Sequence, residues 1–326
     1  RRRQAEHARA ECPGRDLTIA QGKMKVCRKS GAISSRRRIF FAGGVRRGGE
    51  MGERPALEGT YGHGGGVMAA ARLSGRAETD IDDFSTNCFF AAAPLTERLL
   101  GKTAWCSGSA LLRYPDPGNV RLRAALAARE GMEPDAVIAG NGASELIWAA
   151  LLALRTRGAR RVLFLGPLFV QYARACAALG METEQVLCPE DDSFLPDAAA
   201  LDGVARSGAD VVIVCSPNNP GTGILRDFSP LLDAVGRRVL LLDASYRGFL
   251  PEGDPGALPY PSLAGEAERN GAVLILLDSM TKFFCCPGVR LGFAVAEAEL
   301  VARMDACRPS WSVGSAPGSP SGRKPR

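Results

Sequence analysis

From about residue 80 onward, apolar and polar positions alternate between two rhythms. Residues 144–157 (SELIWAALLALRTR) repeat apolar side chains at helical spacing, with Glu145 in the first turn and arginines in the last, the charge order that a helix dipole favours. Residues 161–165 (RVLFL) form a short apolar run that reads as a strand, and 168–179 return to helical spacing. The sequence then predicts a strand at 210–215, a helix at 227–235, a strand at 239–243, and two further strands at 272–277 and 291–295. Strands that are apolar at every position are buried on both faces, and strands alternating with helices run parallel. The pattern therefore predicts an α/β fold of three layers, a mixed but mostly parallel sheet between helices.

Composition bounds this picture. A chain of 326 residues with 46% hydrophobic content suits one large α/β domain and part of a second. It contains no apolar run of membrane-spanning length and no signal-peptide pattern, so the expected location is cytoplasmic, with no membrane partner. None of the ten cysteines forms a C-x-x-C pair, which favours reduced thiols, and with only His7 and His63 no metal site is expected. Residues 1–60 carry 15 Lys+Arg against 6 Asp+Glu, a surplus of nine; set against the chain total of +6, this leaves the remainder about three negative. The basic character thus belongs to a tail without periodicity, predicted to be disordered or non-native, and no nucleic-acid partner is expected. Arg46-Arg47-Gly48-Gly49-Glu50 before Met51 is what purine-rich ribosome-binding DNA would encode if translated, so Met51 is the expected true start.

In such sheets ligands bind beyond the carboxyl ends of the strands. Three strand ends carry polar series: Ser216-Pro217-Asn218-Asn219-Pro220-Gly221-Thr222-Gly223, Asp243-Ala244-Ser245-Tyr246, and Asp278-Ser279-Met280-Thr281-Lys282. Taken singly, an Asp there is a helix cap, an Asn-Pro a turn and a Tyr a packing residue. Together, in this order and spacing and followed by Gly288-Val289-Arg290-Leu291-Gly292-Phe293, they resemble the fold-type I pyridoxal-5′-phosphate (PLP) enzymes, the class I/II aminotransferase family.

The resemblance implies PLP as cofactor, held by Lys282 as a Schiff base, with Asp243 beside the pyridine nitrogen and Asn219 and Tyr246 on the phenolic oxygen. It places the phosphate on the helix-start amides of Gly142, Ala143 and Ser144 with Ser279 and Arg290, and makes Tyr172 the aromatic that stacks on the ring. Arg113-Tyr114-Pro115-Asp116-Pro117 is similar to the histidinol-phosphate aminotransferase subgroup, in which this tyrosine reaches the neighbouring subunit's cofactor phosphate; Tyr114 thus implies a homodimer. His63-Gly64-Gly65 and Asp83-Phe84-Ser85-Thr86-Asn87 resemble the threonine-phosphate decarboxylases of cobalamin biosynthesis, which implies a small phosphorylated amino acid as substrate, with His63 near its phosphate and Asn87 at the substrate end of the pocket. The expected reaction is decarboxylation of L-threonine O-3-phosphate to aminopropanol phosphate. The alternatives are an aminotransferase using the same residues and an inactive remnant.

Three departures qualify the match. The family's N-P-L-G is replaced by Asn87-Cys88-Phe89-Phe90, and the turn at Asn219 carries one extra glycine. The match ends near residue 313, after which 315–326 (SAPGSPSGRKPR) are low-complexity, as a frameshift or gene fragment would produce. The expected organisation is a tail at 1–60, an N-terminal arm at 61–100, a PLP-binding large domain at 101–300, the start of a truncated small domain at 301–313, and a second tail at 314–326.

Overall fold

The computed structural model describes residues 65–101, 116, 118–257 and 259–310, together with the backbone of a short strand at 39–41. Apart from Ile39–Phe41, whose backbone pairs in parallel with Ile81–Asp83 where disorder was expected, the two tails lie outside the described residues, as do His63 and Tyr114. In chain order the elements are β1 (Ile39–Phe41), α1 (Val67–Ser74), β2 (Ile81–Asp83), α2 (Ala93–Gly101), α3 (Val120–Glu130), β3 (Val137–Asn141), α4 (Ala143–Thr156), β4 (Arg161–Leu165) and α5 (Val170–Ala178). They continue with β5 (Glu182–Val186), α6 (Ala198–Arg206), β6 (Val211–Cys215), α7 (Ser229–Val235), β7 (Val239–Asp243), α8 (Tyr260–Arg269), β8 (Val273–Ser279), α9 (Met280–Phe283), β9 (Leu291–Val295) and α10 (Ala298–Ala306).

Seven strands form one sheet in the order β3-β9-β8-β7-β6-β4-β5. Neighbouring pairs from β5 to β8 are parallel, whereas β9 runs antiparallel to both β8 and β3. The sheet is mixed and mostly parallel, as the apolar runs predict.

The pleat divides these runs between two cores. On one face Val212, Val214, Leu240, Leu242, Leu274 and Leu276 pack with residues of α3, α6, α7 and α8. On the other, Val211, Ile213, Leu241, Ile275 and Leu277 pack with residues of α4, α5 and α10. A strand covered on both faces needs apolar residues at every position, which is why β6 to β8 read as unbroken hydrophobic runs. The edge strand β5 (ETEQV) is mostly exposed and carries no such signal. Helix α10 crosses the boundary expected at residue 300, and its Leu300, Val301 and Met304 lie in the second core, so this stretch packs with the sheet.

Register brings the chemistry to one edge. Cys215 pairs with Asp243 and Asp243 with Leu277, so the ends of β6, β7 and β8 lie abreast. Because β9 is antiparallel, its beginning lies at the same edge as the end of β3: Gly292 pairs with both Gly140 and Ser279. A side chain on Gly292 would meet the nitrogen of Ala143, the carbonyl carbon of Gly142 at 2.6 Å and the carbonyl oxygen of Asp278 at 3.0 Å. The start of α4 thus sits directly on this glycine. Gly292→Ala is expected to overpack the junction at a cost of about 1–3 kcal/mol, lowering the thermal midpoint by about 5 °C in scanning calorimetry.

Candidate functional site

The site is built from the loops that leave this edge. Asp243, the last residue of β7, is 5% exposed, yet both carboxylate oxygens are engaged. Oδ1 accepts from the Ser245 amide at 3.0 Å and Oδ2 from the Tyr172 hydroxyl at 2.9 Å. Burial first, then the charge of Asp243 and the hydrogen bond to it, raise the Tyr172 pKa well above its ordinary value and keep this hydroxyl a donor. Tyr172 is 1% exposed in α5, so the side chain expected to stack on a cofactor ring packs here against the carboxylate. Each carboxylate oxygen has two lone pairs, so Oδ2 retains capacity for a second donor.

Lys282 lies in the short helix α9, which Ser279 caps by accepting from the Thr281 amide at 3.4 Å. Its Nζ donates to the carbonyl of Thr86 at 3.1 Å, while its own carbonyl accepts from the amide of Phe89 at 2.9 Å. The segment after β2 is thereby laid across the lysine. Burial lowers the Lys282 pKa; Cys88 opposes this, Arg290 adds to it, and Asp243 and Asp83 oppose it more weakly. The outcome is an amine that gives up its proton more readily than a free lysine, as a nucleophile toward a carbonyl requires.

Between these two groups the Tyr246 hydroxyl accepts from Asn219 Nδ2 at 3.0 Å and from Asn87 Nδ2 at 3.4 Å. Burial is the main cause of its raised pKa. Three residues far apart in the chain, each proposed from the sequence, therefore meet at one phenol.

The anion cradle lies at the start of α4. Gly142 at φ 76° forms the cap position and has no side chain with which to satisfy the first-turn amides. Arg290, itself at φ 55°, lies over it: a side chain on Gly142 would meet Arg290 Nη2 at 2.6 Å. Arg290 Nη1 donates to the Pro287 carbonyl at 3.3 Å, and among the described residues no carboxylate forms an ion pair with this guanidinium. Ser279 is buried nearby, its hydroxyl 2.8 Å from that of Thr281. Glu145 closes the turn by accepting from the Asn141 amide at 2.7 Å. The Gly142 amide donates to the Gly140 carbonyl at 2.7 Å, so the first-turn amides of Ala143 and Ser144, a cation without a carboxylate and a glycine that leaves room form the arrangement suited to a phosphate. With Asp243 and Lys282 on the same edge, the residues fit a flat, phosphorylated aldehyde cofactor.

Some participants were not singled out from the sequence. Thr86 acts through its backbone carbonyl, which has no sequence signature. Phe89 stacks on Phe283 with ring centroids 5.6 Å apart, and both make edge contacts with Phe249 at 6.1 and 5.7 Å; these rings wall the site where the N-P-L-G pattern is lost. Arg247, Glu130 and Asp278 form a buried ion cluster behind the site. Arg247 directly follows Tyr246 and Asp278 directly precedes Ser279, but nothing in the sequence indicates that they pair.

Comparison with known proteins agrees with this geometry. The family model for "Aminotransferase class I and II" matches residues 89–323. The chain is 32% identical over 259 residues to a threonine-phosphate decarboxylase of Salmonella typhimurium, covering 77% of this chain and 66% of that protein. It is 35% identical over 231 residues to a histidinol-phosphate aminotransferase of Acidovorax ebreus, covering 69% and 59%. The crystal structure of L-threonine-O-3-phosphate decarboxylase from Porphyromonas gingivalis superposes with a TM-score of 0.53 at 25% identity, covering 68% of this chain and 61% of that one. The chain thus spans about two thirds or less of the length of these relatives.

Burial pushes the Asp278 carboxyl up to about 6, against the pull of Arg247 and Arg129. An acid whose folded pKa is raised binds its proton more tightly in the native state, so its contribution to stability falls as pH rises from about 4 through about 6. Asp278→Asn should flatten that part of the stability profile, seen as a smaller difference in urea midpoint between about pH 4.5 and about pH 7.5 than in the parent.

Proposed function

The chain belongs to the class I and II aminotransferase family, and from that premise we propose that it decarboxylates L-threonine O-3-phosphate at the edge where Lys282, Asp243 and the α4 cradle converge. Pyridoxal 5′-phosphate is the cofactor. When bound it supplies an electrophilic carbon for amines and an electron sink for the bond that breaks.

In this reading Lys282 carries the cofactor. Asp243 holds the pyridine nitrogen protonated, and Asn219 and Tyr246 donate to the phenolic oxygen. The amides of Ala143 and Ser144, with Ser279 and Arg290, would bind the phosphate, and Tyr172 would hold Asp243 toward the ring through its hydroxyl. The lowered pKa of Lys282 supports its role, because burial disfavours the ammonium form that could not attack a carbonyl. Once displaced by substrate, the Lys282 amine is free to move a proton at the substrate α-carbon. In a decarboxylase it would return a proton to the α-carbon after carbon dioxide leaves; in an aminotransferase it would carry a proton from the α-carbon to the cofactor. Phe89, Phe249 and Phe283 pack as an aromatic cluster beside the lysine turn.

The observation that carries the decarboxylase reading is the segment after β2. Thr86 and Asn87 lie in the stretch that resembles the decarboxylases, Thr86 binds Lys282 Nζ, and the Asn87 amide is 3.4 Å from the Tyr246 hydroxyl. Asn87 is assigned to the substrate end of the pocket and His63 to the substrate phosphate. The aminotransferase reading is supported by the identity to histidinol-phosphate aminotransferase, which is of similar strength. A homodimer in which Tyr114 reaches the neighbouring phosphate is part of the proposal. It is supported by the exposure of the large apolar side chains Phe84, Phe90 and Phe284.

The test is an absorbance spectrum with added PLP, then incubation with L-threonine O-3-phosphate. A visible band absent from Lys282→Ala, together with carbon dioxide release that falls by about a thousandfold or more in the variant, is the expected result. The band with amino transfer to a keto acid and no carbon dioxide would replace the decarboxylase by the aminotransferase. The band with neither reaction would identify an inactive PLP-binding remnant, and no band would overturn the cofactor assignment for this chain.

A further inference from the structure

Behind the site, the turn that follows β7 is joined to the end of β8 by a buried ion cluster. Arg247 Nη2 donates to Glu130 Oε1 at 2.8 Å, to Glu130 Oε2 at 2.9 Å and to Asp278 Oδ2 at 2.9 Å. The three residues are 9%, 5% and 2% exposed. Two carboxylates face one guanidinium here, and Arg129, half exposed, supplies the second positive charge: its Nε is 3.7 Å from Glu130, and its Nη1 donates to Met280 Sδ at 3.3 Å.

A buried ion group is weak evidence of added stability, because desolvation cancels most of its attraction. What this guanidinium offers is geometry, since one nitrogen of a planar group, Nη2, serves both carboxylates and fixes their directions. The partners lie where direction matters. The sheet ladder between β7 and β8 ends with the Ala244 amide donating to the Leu277 carbonyl at 2.7 Å. Beyond it the chains part, and Arg247 to Asp278 is the next tie between them. Arg247 follows Tyr246, and its own amide donates back to the Ala244 carbonyl at 2.8 Å. Asp278 Oδ1 accepts from the amide of Ser279 at 2.6 Å, and Ser279 caps the helix that carries Lys282.

We propose that Arg247 is a positioning residue that, through Asp278 and Glu130, holds the turn of Asp243–Tyr246 and the turn of Ser279–Lys282 at one fixed separation, so that the Tyr246 hydroxyl and the Lys282 amine face the same ligand. Its role toward PLP rests on the cofactor reading above; the coupling of the two turns does not.

The experiment is therefore hydrogen–deuterium exchange on the protein without PLP, comparing the parent with Arg247→Lys, followed by PLP titration of both. Lysine keeps the charge but not the planar group that fixes both carboxylates. The expected result is that amides in 244–250 and 278–284 exchange about tenfold faster together while β4 and β6 stay protected, and that PLP affinity falls by about tenfold. A triple replacement, Glu130→Met with Arg247→Met and Asp278→Leu, separates position from stability, because apolar replacement of a buried ion group can preserve folding. It is expected to keep the parent's thermal midpoint but to leave both turns loose and PLP binding weak. Exchange that is unchanged, confined to one turn or spread evenly over the sheet would overturn the proposal, as would a triple variant that binds PLP like the parent. A parent without a Lys282-dependent band would sink the cofactor reading alone, since the exchange comparison decides the coupling without it.

Discussion

A sheet sealed by helices on both faces leaves its strands one place to meet a ligand, and every chemical group of the site is subject to that constraint. The strands β6, β7 and β8 are buried along their length because Val, Leu and Ile fill both faces of the pleat. Polar residues begin where the ladder ends: after Cys215, at Asp243 and at Asp278. The reversal of β9 extends the same edge, since only an antiparallel strand there can bring Arg290 and Gly292 to the start of α4. Without a side chain at Gly292 the α4 amides can sit against the sheet, and without one at Gly142 the guanidinium can sit over them.

Within this frame burial and charge compete, and the balance differs from group to group. For Lys282 burial prevails and lowers the pKa, although three acidic groups oppose it. For Arg247 burial also works against the charge, but Asp278 and Glu130 together outweigh it and hold the guanidinium protonated. For Tyr172 burial and the neighbouring Asp243 act in the same direction and keep the phenol neutral. The result is an amine with a lowered pKa, a carboxylate supplied with donors, and fixed cations set apart from it. A cofactor that is positive at its ring nitrogen and negative at its phosphate calls for this separation of charge.

Asp243, Lys282 and the start of α4 meet at the sheet edge. The segment containing Thr86 and Asn87 reaches that edge from outside the sheet. This segment is docked by backbone hydrogen bonds to Lys282 and by the stacking of Phe89 on Phe283. The replacement of N-P-L-G by residues that include Cys88 and Phe89 is thus accommodated by aromatic packing around the lysine turn.

Taken alone, the sequence determined the layer architecture, three of the strands residue for residue (161–165, 239–243 and 291–295), and the identity of the groups at the strand ends. These properties are written locally: an unbroken apolar run declares burial on both faces, and a polar residue just past it declares an end. It gave no sign of β5, whose exposed edge position requires no apolar pattern. It identified Asn87, Asn219 and Tyr246 singly, but only the tertiary structure brought the two amides onto one phenol. Nor could it show the pairing of Arg247 with Glu130 and Asp278, 117 and 31 residues away. An arginine after a tyrosine reads as a surface residue until the fold removes its water, and contacts between strand ends exist only once the register of the sheet has placed those ends side by side.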